Sequence, residues 1–341
     1  MKVCVFGPGA IGGHLAARLA KGGAEVSVVA RGPHLDAIRR DGLTVRTPQG
    51  PLHAKVTASD DPAALGAQDA VLVTVKAPAL PSVAQRIAPL LKPETPVVFV
   101  MNGIPWWYFH AHGGPLDGTR LPRIDPGGAL WNAIGPHRAV GGVVNAPSAV
   151  VEPGVVNVER ESNYLILGEP DGSSSQRAEA LARLMRDPHF DVKVTDDIRT
   201  AIWDKLISNL MAGPMCVLTQ SGYRDFLMEP ACMDAARRIV LETAAVAQAL
   251  GCKPDLDHET RLARSSKLAH RASILQDLEL GRPMEVDAIF AMPVELARLV
   301  NVPTPTLDLL VGLAKARARR AGLYDESKED RPVMPAKAGT Q

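Results

Sequence analysis

The stretch VFGPGAIGG, residues 5–13, decides how the beginning of this chain folds. Its glycines at positions 7, 9 and 12 form the pattern G-x-G-x-x-G after a short valine-rich run. In nucleotide-binding turns the first glycine allows the tight turn, the second lets a pyrophosphate approach, and the third lets the helix pack on the strand. The helix N-terminus offers N–H groups to phosphates. We therefore predict a dinucleotide-binding turn made of Gly7, Pro8, Gly9, Ala10, Ile11 and Gly12.

Strand and helix patterns alternate outward from this turn. Short valine-rich runs predict strands at residues 2–6, 25–30, 70–75 and 96–101, and helical patterns lie between them. Such alternation is typical of a parallel sheet covered by helices. The predicted fold class is therefore α/β, with an N-terminal Rossmann-type, doubly wound sheet.

The pattern changes twice further along the chain. At about residues 104–137 it is replaced by a segment rich in Trp, Gly and Pro, which we expect to be a long ordered loop or small subdomain beside the sheet edge. From residue 196 nearly everything reads as amphipathic helix. We predict a nucleotide-binding domain at 1–195, an all-α substrate domain at 196–325, and a polar, flexible tail at 326–341.

Composition excludes several classes of protein. The net charge of +1 gives no reason to expect nucleic acid or an anionic membrane as partner. The four cysteines form no CxxC pair, so we expect neither a metal site nor a disulfide framework. Apolar runs are too short to cross a bilayer, and the N-terminus does not read as a signal peptide. The expected location is the cytoplasm.

The end of the second predicted strand indicates which dinucleotide binds. An NAD site has an acidic residue there for the ribose hydroxyls. This chain instead has VVARG, with Ala30 followed by Arg31. A guanidinium suits a 2′-phosphate through paired, charge-assisted hydrogen bonds. We therefore predict NADPH (or NADP+) rather than NAD(H), with Arg31 as the phosphate ligand.

Two further polar residues follow predicted strands. Lys76 comes after VLVTV, and Asn102 comes after VVFVM. Ligands bind at the carboxyl ends of strands in such sheets. Each residue alone could be an ordinary turn residue, but the two together favour a role at the ligand site.

The stretch WDKLISN in the helical half places Lys205 and Asn209 one turn apart on a helix face. Reduction of a ketone leaves an alkoxide that needs a proton. A lysine ammonium can donate it, because desolvation lowers its pKa towards the useful range. We predict Lys205 as the proton donor and Asn209 as a ligand of substrate oxygens; a lysine lying over an exposed stripe is the alternative.

Ser273 and Glu285 lie in SILQDLELGRPMEVD, on either side of a predicted helix end and turn. This arrangement brings a hydroxyl and a carboxylate together near a helix N-terminus. Taken alone, Glu285 would be explained as a stabilising acid in a first turn.

Together these motifs resemble the ketopantoate reductase family (2-dehydropantoate 2-reductases), in the same order and over nearly the whole chain. The resemblance implies an NADPH-binding Rossmann domain, a helical domain like that of 6-phosphogluconate dehydrogenase, and an active site between them. It implies that Lys76 and Asn102 lie near the cofactor, and that Lys205 is the proton donor. It also implies that Asn102, Asn209 and Ser273 bind substrate, and that Glu285 contacts cofactor or substrate at the reacting end.

The sequence departs from the family at three places. Family members often carry a second asparagine where this chain has Gly213, and an NG pair where it has Phe290 and Ala291. Losing a hydrogen-bond partner weakens selection for a substrate hydroxyl. The glycine would also enlarge the pocket, and Phe290 would make it more apolar, unless both residues face away from the ligand. The pair Trp106–Trp107 either covers the site or packs as a surface loop, and we favour the second.

The sequence therefore predicts an NADPH-dependent reductase of a 2-oxo acid, with ketopantoate as the substrate that the resemblance implies. A reductase of a bulkier or more apolar 2-oxo acid is the first alternative. A non-catalytic NADPH-binding sensor is the second, although it would not need Lys205, Asn209, Ser273 and Glu285 together. The apolar helical half could also support a homodimer.

Overall fold

The computed structural model describes residues 1–325. These residues form two compact units. The first comprises Met1–Met101, Trp107–Gly118 and Gly127–Ile198. The second comprises Asn102–Trp106, Thr119–Pro126 and the chain from Arg199 onward. The predicted tail at 326–341 lies outside the described residues.

The strands all belong to the first unit. They are β1 (Lys2–Phe6), β2 (Glu25–Val29), β3 (Leu43–Thr47), β4 (Gly50–Ala54), β5 (Thr57–Ser59), β6 (Ala70–Val73), β7 (Val97–Val100), β8 (Ala139–Asn145), β9 (Ser148–Glu152), β10 (Val155–Val158), β11 (Asn163–Gly168) and β12 (Phe190–Thr195). The main sheet has the order β12-β11-β8-β7-β6-β1-β2-β5, and its neighbours are parallel except for β8 and β11. The predicted doubly wound α/β sheet is confirmed.

Burial explains why the central strands could be recognised. Every residue of β6 and β7 is buried, as are the last four residues of β1. A parallel strand covered on both faces reads as a continuous apolar run. Helices of the first unit are α1 (Ala10–Lys21), α2 (Gly32–Asp41), α3 (Leu80–Arg86), α4 (Ala129–Ile134) and α5 (Gln176–Met185).

A second, four-stranded sheet in the first unit was not predicted. Its order is β4-β3-β10-β9, with β3 and β10 parallel and the other neighbours antiparallel. Helix α1 packs closely on this second sheet, as Gly13 shows: a β-carbon there would lie 2.9 Å from Val156 Cγ2. The pairing of β3 with β10 joins residues far apart in the chain, so no local pattern indicates it.

The Trp106–Trp107 pair is packed, as the interpretation that we favoured expects, but it lies in the interior and not at the surface. Trp106, Trp107, Tyr108 and Phe109 are fully buried. The Trp107 ring lies against β8, where a β-carbon at Gly141 would be 2.9 Å from the ring. Large aromatic side chains gain most from burial, and these four contribute to the packed interior.

The second unit is helical, as predicted. Its helices are α6 (Ile198–Thr219, from Arg199 onward), α7 (Tyr223–Leu227), α8 (Pro230–Ala249), α9 (His258–Ser265), α10 (Ser273–Glu279), α11 (Met292–Leu299) and α12 (Pro305–Arg320). Helix α8 packs against α7, α9, α11 and α12. None of the helices at 1–325 combines the length and apolar character that a membrane crossing requires.

Candidate active site

The glycine turn of the first unit has the geometry that its sequence predicts. Gly7 follows β1 with φ +91°, and a β-carbon there would collide with the Val75 side chain. A β-carbon at Gly12 would collide with the Gly7 carbonyl oxygen and with Thr74 Oγ1. At Gly9, by contrast, a β-carbon would meet nothing within 4 Å. Gly7 and Gly12 are thus required by packing, whereas Gly9 borders open space.

That open space adjoins the N-terminus of α1. The helix begins at Ala10 with Gly9 as its N-cap, and Gly9 has no side chain to satisfy the first N–H groups. Those groups have no acceptor within a helix and carry partial positive charge. The Thr74 hydroxyl donates to the Gly7 carbonyl at 2.7 Å and steadies the turn. The arrangement suits an anion such as a pyrophosphate.

His34 is a residue of this site that the sequence analysis missed. Its Nε2 lies 2.7 Å from the Pro8 carbonyl oxygen, and the Gly154 backbone N–H donates to its Nδ1 at 3.0 Å. Because Nδ1 accepts, the neutral ring carries its proton on Nε2 and donates to Pro8. The imidazole therefore ties the glycine turn to Gly154, which lies 120 residues after His34 in the chain. No local sequence signal indicates that contact.

The predicted cationic residues follow neighbouring strands. Arg31 is exposed, two residues after β2, and is the N-cap of α2. Lys76 is exposed, three residues after β6. Strands β2 and β6 flank β1 on either side in parallel. Since the carboxyl ends of parallel strands share one edge, Arg31, Lys76 and the glycine turn lie along the same edge of the sheet.

Lys205 lies half-buried on α6 in the second unit. Burial lowers the pKa of its ammonium to about 8, and the charge of Glu285 opposes this shift. Glu285 itself is buried. Asn209 is half-buried one turn further along α6, on the same helix face as Lys205. The structure thus brings Lys205, Asn209 and Glu285 into one unit, with Lys205 and Glu285 close enough to interact.

Ser273 and Asn102 also belong to the second unit. Ser273 is exposed and is the first residue of α10. The adjoining residue, Ile274, packs on α6 at Gly213, where a β-carbon would lie 3.6 Å from Ile274 Cγ2. Asn102 is half-buried, two residues after β7.

Gly213 and Phe290, which we treated as two separate departures, are in contact. A β-carbon at Gly213 would lie 3.0 and 3.1 Å from two carbon atoms of the Phe290 ring, and that ring is fully buried. The expectation that glycine enlarges the pocket is therefore not met, because the ring occupies the space beside it. Ile274 borders Gly213 as well, so the side chains around this position are apolar.

Comparison with known proteins relates both halves of the chain to one family. The family described as Ketopantoate reductase PanE/ApbA matches residues 3–106, and its C-terminal counterpart matches residues 197–318. The chain is 43% identical over 326 residues to a 2-dehydropantoate 2-reductase of Mesorhizobium japonicum, covering 95% of this chain and 100% of that relative.

Solved structures agree with this relationship. A protein of Ralstonia solanacearum MolK2, provisionally assigned as a ketopantoate reductase, has a TM-score of 0.88 at 40% identity and covers 94% of this chain and 99% of its own. The ternary structure of D-mandelate dehydrogenase with NADH and anilino(oxo)acetate has a TM-score of 0.76 at 21% identity, covering 95% and 100%. The similarity to D-mandelate dehydrogenase shows a shared fold alone.

Proposed function

The chain belongs to the ketopantoate reductase family, and from this premise we propose that it reduces ketopantoate to pantoate with NADPH. The observation that carries the proposal is Lys205, a half-buried ammonium whose pKa is lowered to about 8 beside Glu285. Reduction of a ketone requires such an acid. An ordinary surface lysine, with a pKa near 10.4, would be a weaker one.

A nicotinamide cofactor follows from the family, and NADPH is our more specific proposal. The open space at Gly9 and the N-terminus of α1 fit a pyrophosphate. Arg31 would bind the 2′-phosphate, and Lys76 lies along the same sheet edge to interact with the bound cofactor. When bound, NADPH supplies the hydride that reduces the carbonyl carbon.

The second unit would supply the remaining chemistry. Lys205 donates its proton to the carbonyl oxygen, so that the product is an alcohol and the lysine is left neutral. Asn209 and Ser273 hold the substrate oxygens, including its carboxylate, and Asn102 contacts both substrate and cofactor. Glu285 favours the charged form of Lys205, which keeps the acid protonated at neutral pH.

Reduction of a more apolar 2-oxo acid is the second candidate. It is favoured by one observation: Gly213 contacts the Phe290 ring and Ile274, so this position offers no hydrogen bond to a substrate hydroxyl. A non-catalytic NADPH sensor remains the contrasting proposal, since it would bind the cofactor without turnover.

Replacement of Lys205 tests the proposed function. Lys205→Ala should lower kcat for NADPH oxidation by ketopantoate by about a hundredfold or more, with NADPH affinity, followed by cofactor fluorescence, nearly unchanged. Lys193→Ala is a matched control, because Lys193 is exposed in the first unit and pairs with Asp191 on the surface. Unaltered turnover in Lys205→Ala would remove Lys205 from the mechanism.

A further inference from the structure

The helical turn that follows Glu285 is unusually wide. Asp287–Ala291 form a π-helical turn, in which the Met292 N–H donates to the Asp287 carbonyl five residues earlier. The next residue, Pro293, has no N–H, and in a regular α-helix its ring would press on the carbonyl of Ile289. Pro293 therefore accounts for the widening. Such π-turns inside helices are frequent at functional sites.

The π-turn frees one carbonyl for a contact with another segment. In a regular α-helix, Ala288 would accept from the Met292 N–H, which here donates to Asp287. The next position along the π pattern is Pro293, which cannot donate. The Ala288 carbonyl instead accepts the backbone N–H of Ile104 at 3.0 Å.

Gly103 makes this contact possible. Its φ is +81°, a conformation that disfavours other residues. A β-carbon there would also collide with the carbonyl carbon and oxygen of Ala288. Two independent requirements, conformation and space, thus demand glycine at the residue that directly follows Asn102.

A half-buried ionic group holds the π-turn from another side. Arg123 donates from Nε to Glu295 Oε2 at 2.8 Å and from Nη1 to Asp287 Oδ1 at 3.4 Å. The Tyr324 hydroxyl donates to the same Asp287 oxygen at 2.8 Å. With its acidic residue anchored in this way, the π-turn is a fixed support against which the segment at 102–104 rests.

We propose that the contact of Gly103 and Ile104 with Ala288, which we call the latch, positions Asn102 relative to Glu285. Asn102 lies two residues before Ile104, and Glu285 lies three residues before Ala288. The latch therefore joins the two predicted site residues within one unit. Gly103 and Pro293 are positioning residues for the reaction, and this role rests on the proposed function.

The test compares two glycines of nearly equal φ. Gly251, at φ +82°, is exposed and a β-carbon there would meet nothing within 4 Å. Gly103→Ala should lower kcat/KM for the 2-oxo acid at least tenfold, change NADPH affinity by a smaller factor, and accelerate exchange of the Ile104 amide hydrogen. Gly251→Ala has the same conformational strain and should leave all three within twofold.

Two results would overturn the latch. One is an Ile104 amide that exchanges as fast in the unaltered protein as in Gly103→Ala. The other is faster exchange in the variant with unchanged kcat/KM.

If Gly103→Ala does not fold, Pro293→Ala replaces it, because alanine restores an N–H at this position and permits a regular helix. The same loss of kcat/KM is expected in Pro293→Ala, and a retained kcat/KM contradicts the proposal. Failure of the unaltered protein to reduce any 2-oxo acid would reject the proposed function, whereas amide exchange still tests the latch.

Discussion

At the scale of single residues, Lys205 is subject to two opposing effects. Burial lowers the pKa of its ammonium, the charge of Glu285 raises it, and the result is about 8. The group is then largely protonated at neutral pH and more acidic than an exposed lysine. This balance suits a residue that donates a proton in each turnover.

The pH dependence of the reaction follows from this value. Because the proposed reduction uses protonated Lys205, its kcat/KM should fall as pH rises through about 8. The reverse oxidation uses the neutral amine and should rise over the same range. Initial rates in both directions at saturating cofactor test this pattern, and a reduction rate that is flat across that range would contradict it.

Arg31 is expected to decide between the two nicotinamide cofactors. Hydrogen bonds to charged groups contribute about 1.5–3 kcal/mol, so Arg31→Ala should raise the KM for NADPH by about tenfold to a hundredfold. The KM for NADH should change little. Arg40→Ala on the same helix is the control, because Arg40 pairs with its neighbour Asp41. An equal effect on both cofactors would exclude recognition of the 2′-phosphate by Arg31.

At the scale of elements, local sequence patterns could be predicted, whereas contacts between residues far apart in the chain could not. The glycine turn was predictable because its G-x-G-x-x-G pattern lies between β1 and α1, although Thr74 and Val75, on which it packs, lie far along the chain. The role of His34 was not, since it depends on Gly154. Similarly, Pro293 could indicate an irregular helix, but the acceptance of the Ile104 N–H by Ala288 depends on tertiary folding.

The packing of α6 against the π-turn yields a stability prediction. Gly213→Asn should destabilise the protein by about 1–3 kcal/mol, because its side chain would overlap the Phe290 ring. In Gly213→Asn/Phe290→Ala the asparagine side chain can occupy the space that the ring leaves. The double variant should therefore lose less stability than the sum of the losses in the two single variants, with a coupling of about 0.5–3 kcal/mol. Denaturant unfolding of the four proteins measures this coupling. Strict additivity would show that the two positions do not compete for space.

At the scale of the whole molecule, each unit carries one part of the proposed chemistry. The first unit has the glycine turn and Arg31, and the second has Lys205 with Glu285. The sheet-then-helix order was evident from the change of periodicity, whereas the second sheet was not, because β3 finds its partner β10 only in the folded chain. Which side chains surround Gly213 also required the structure, since Phe290 lies far away in sequence.

We propose that this chain is an NADPH-dependent reductase of ketopantoate. The most direct measurement is kcat/KM for ketopantoate and for a panel of larger, more apolar 2-oxo acids, each with NADPH and with NADH. We expect the highest value for ketopantoate with NADPH. A higher value for an apolar 2-oxo acid would keep the mechanism and change the substrate, whereas tight NADPH binding without turnover of any 2-oxo acid would contradict the claim and favour a sensor.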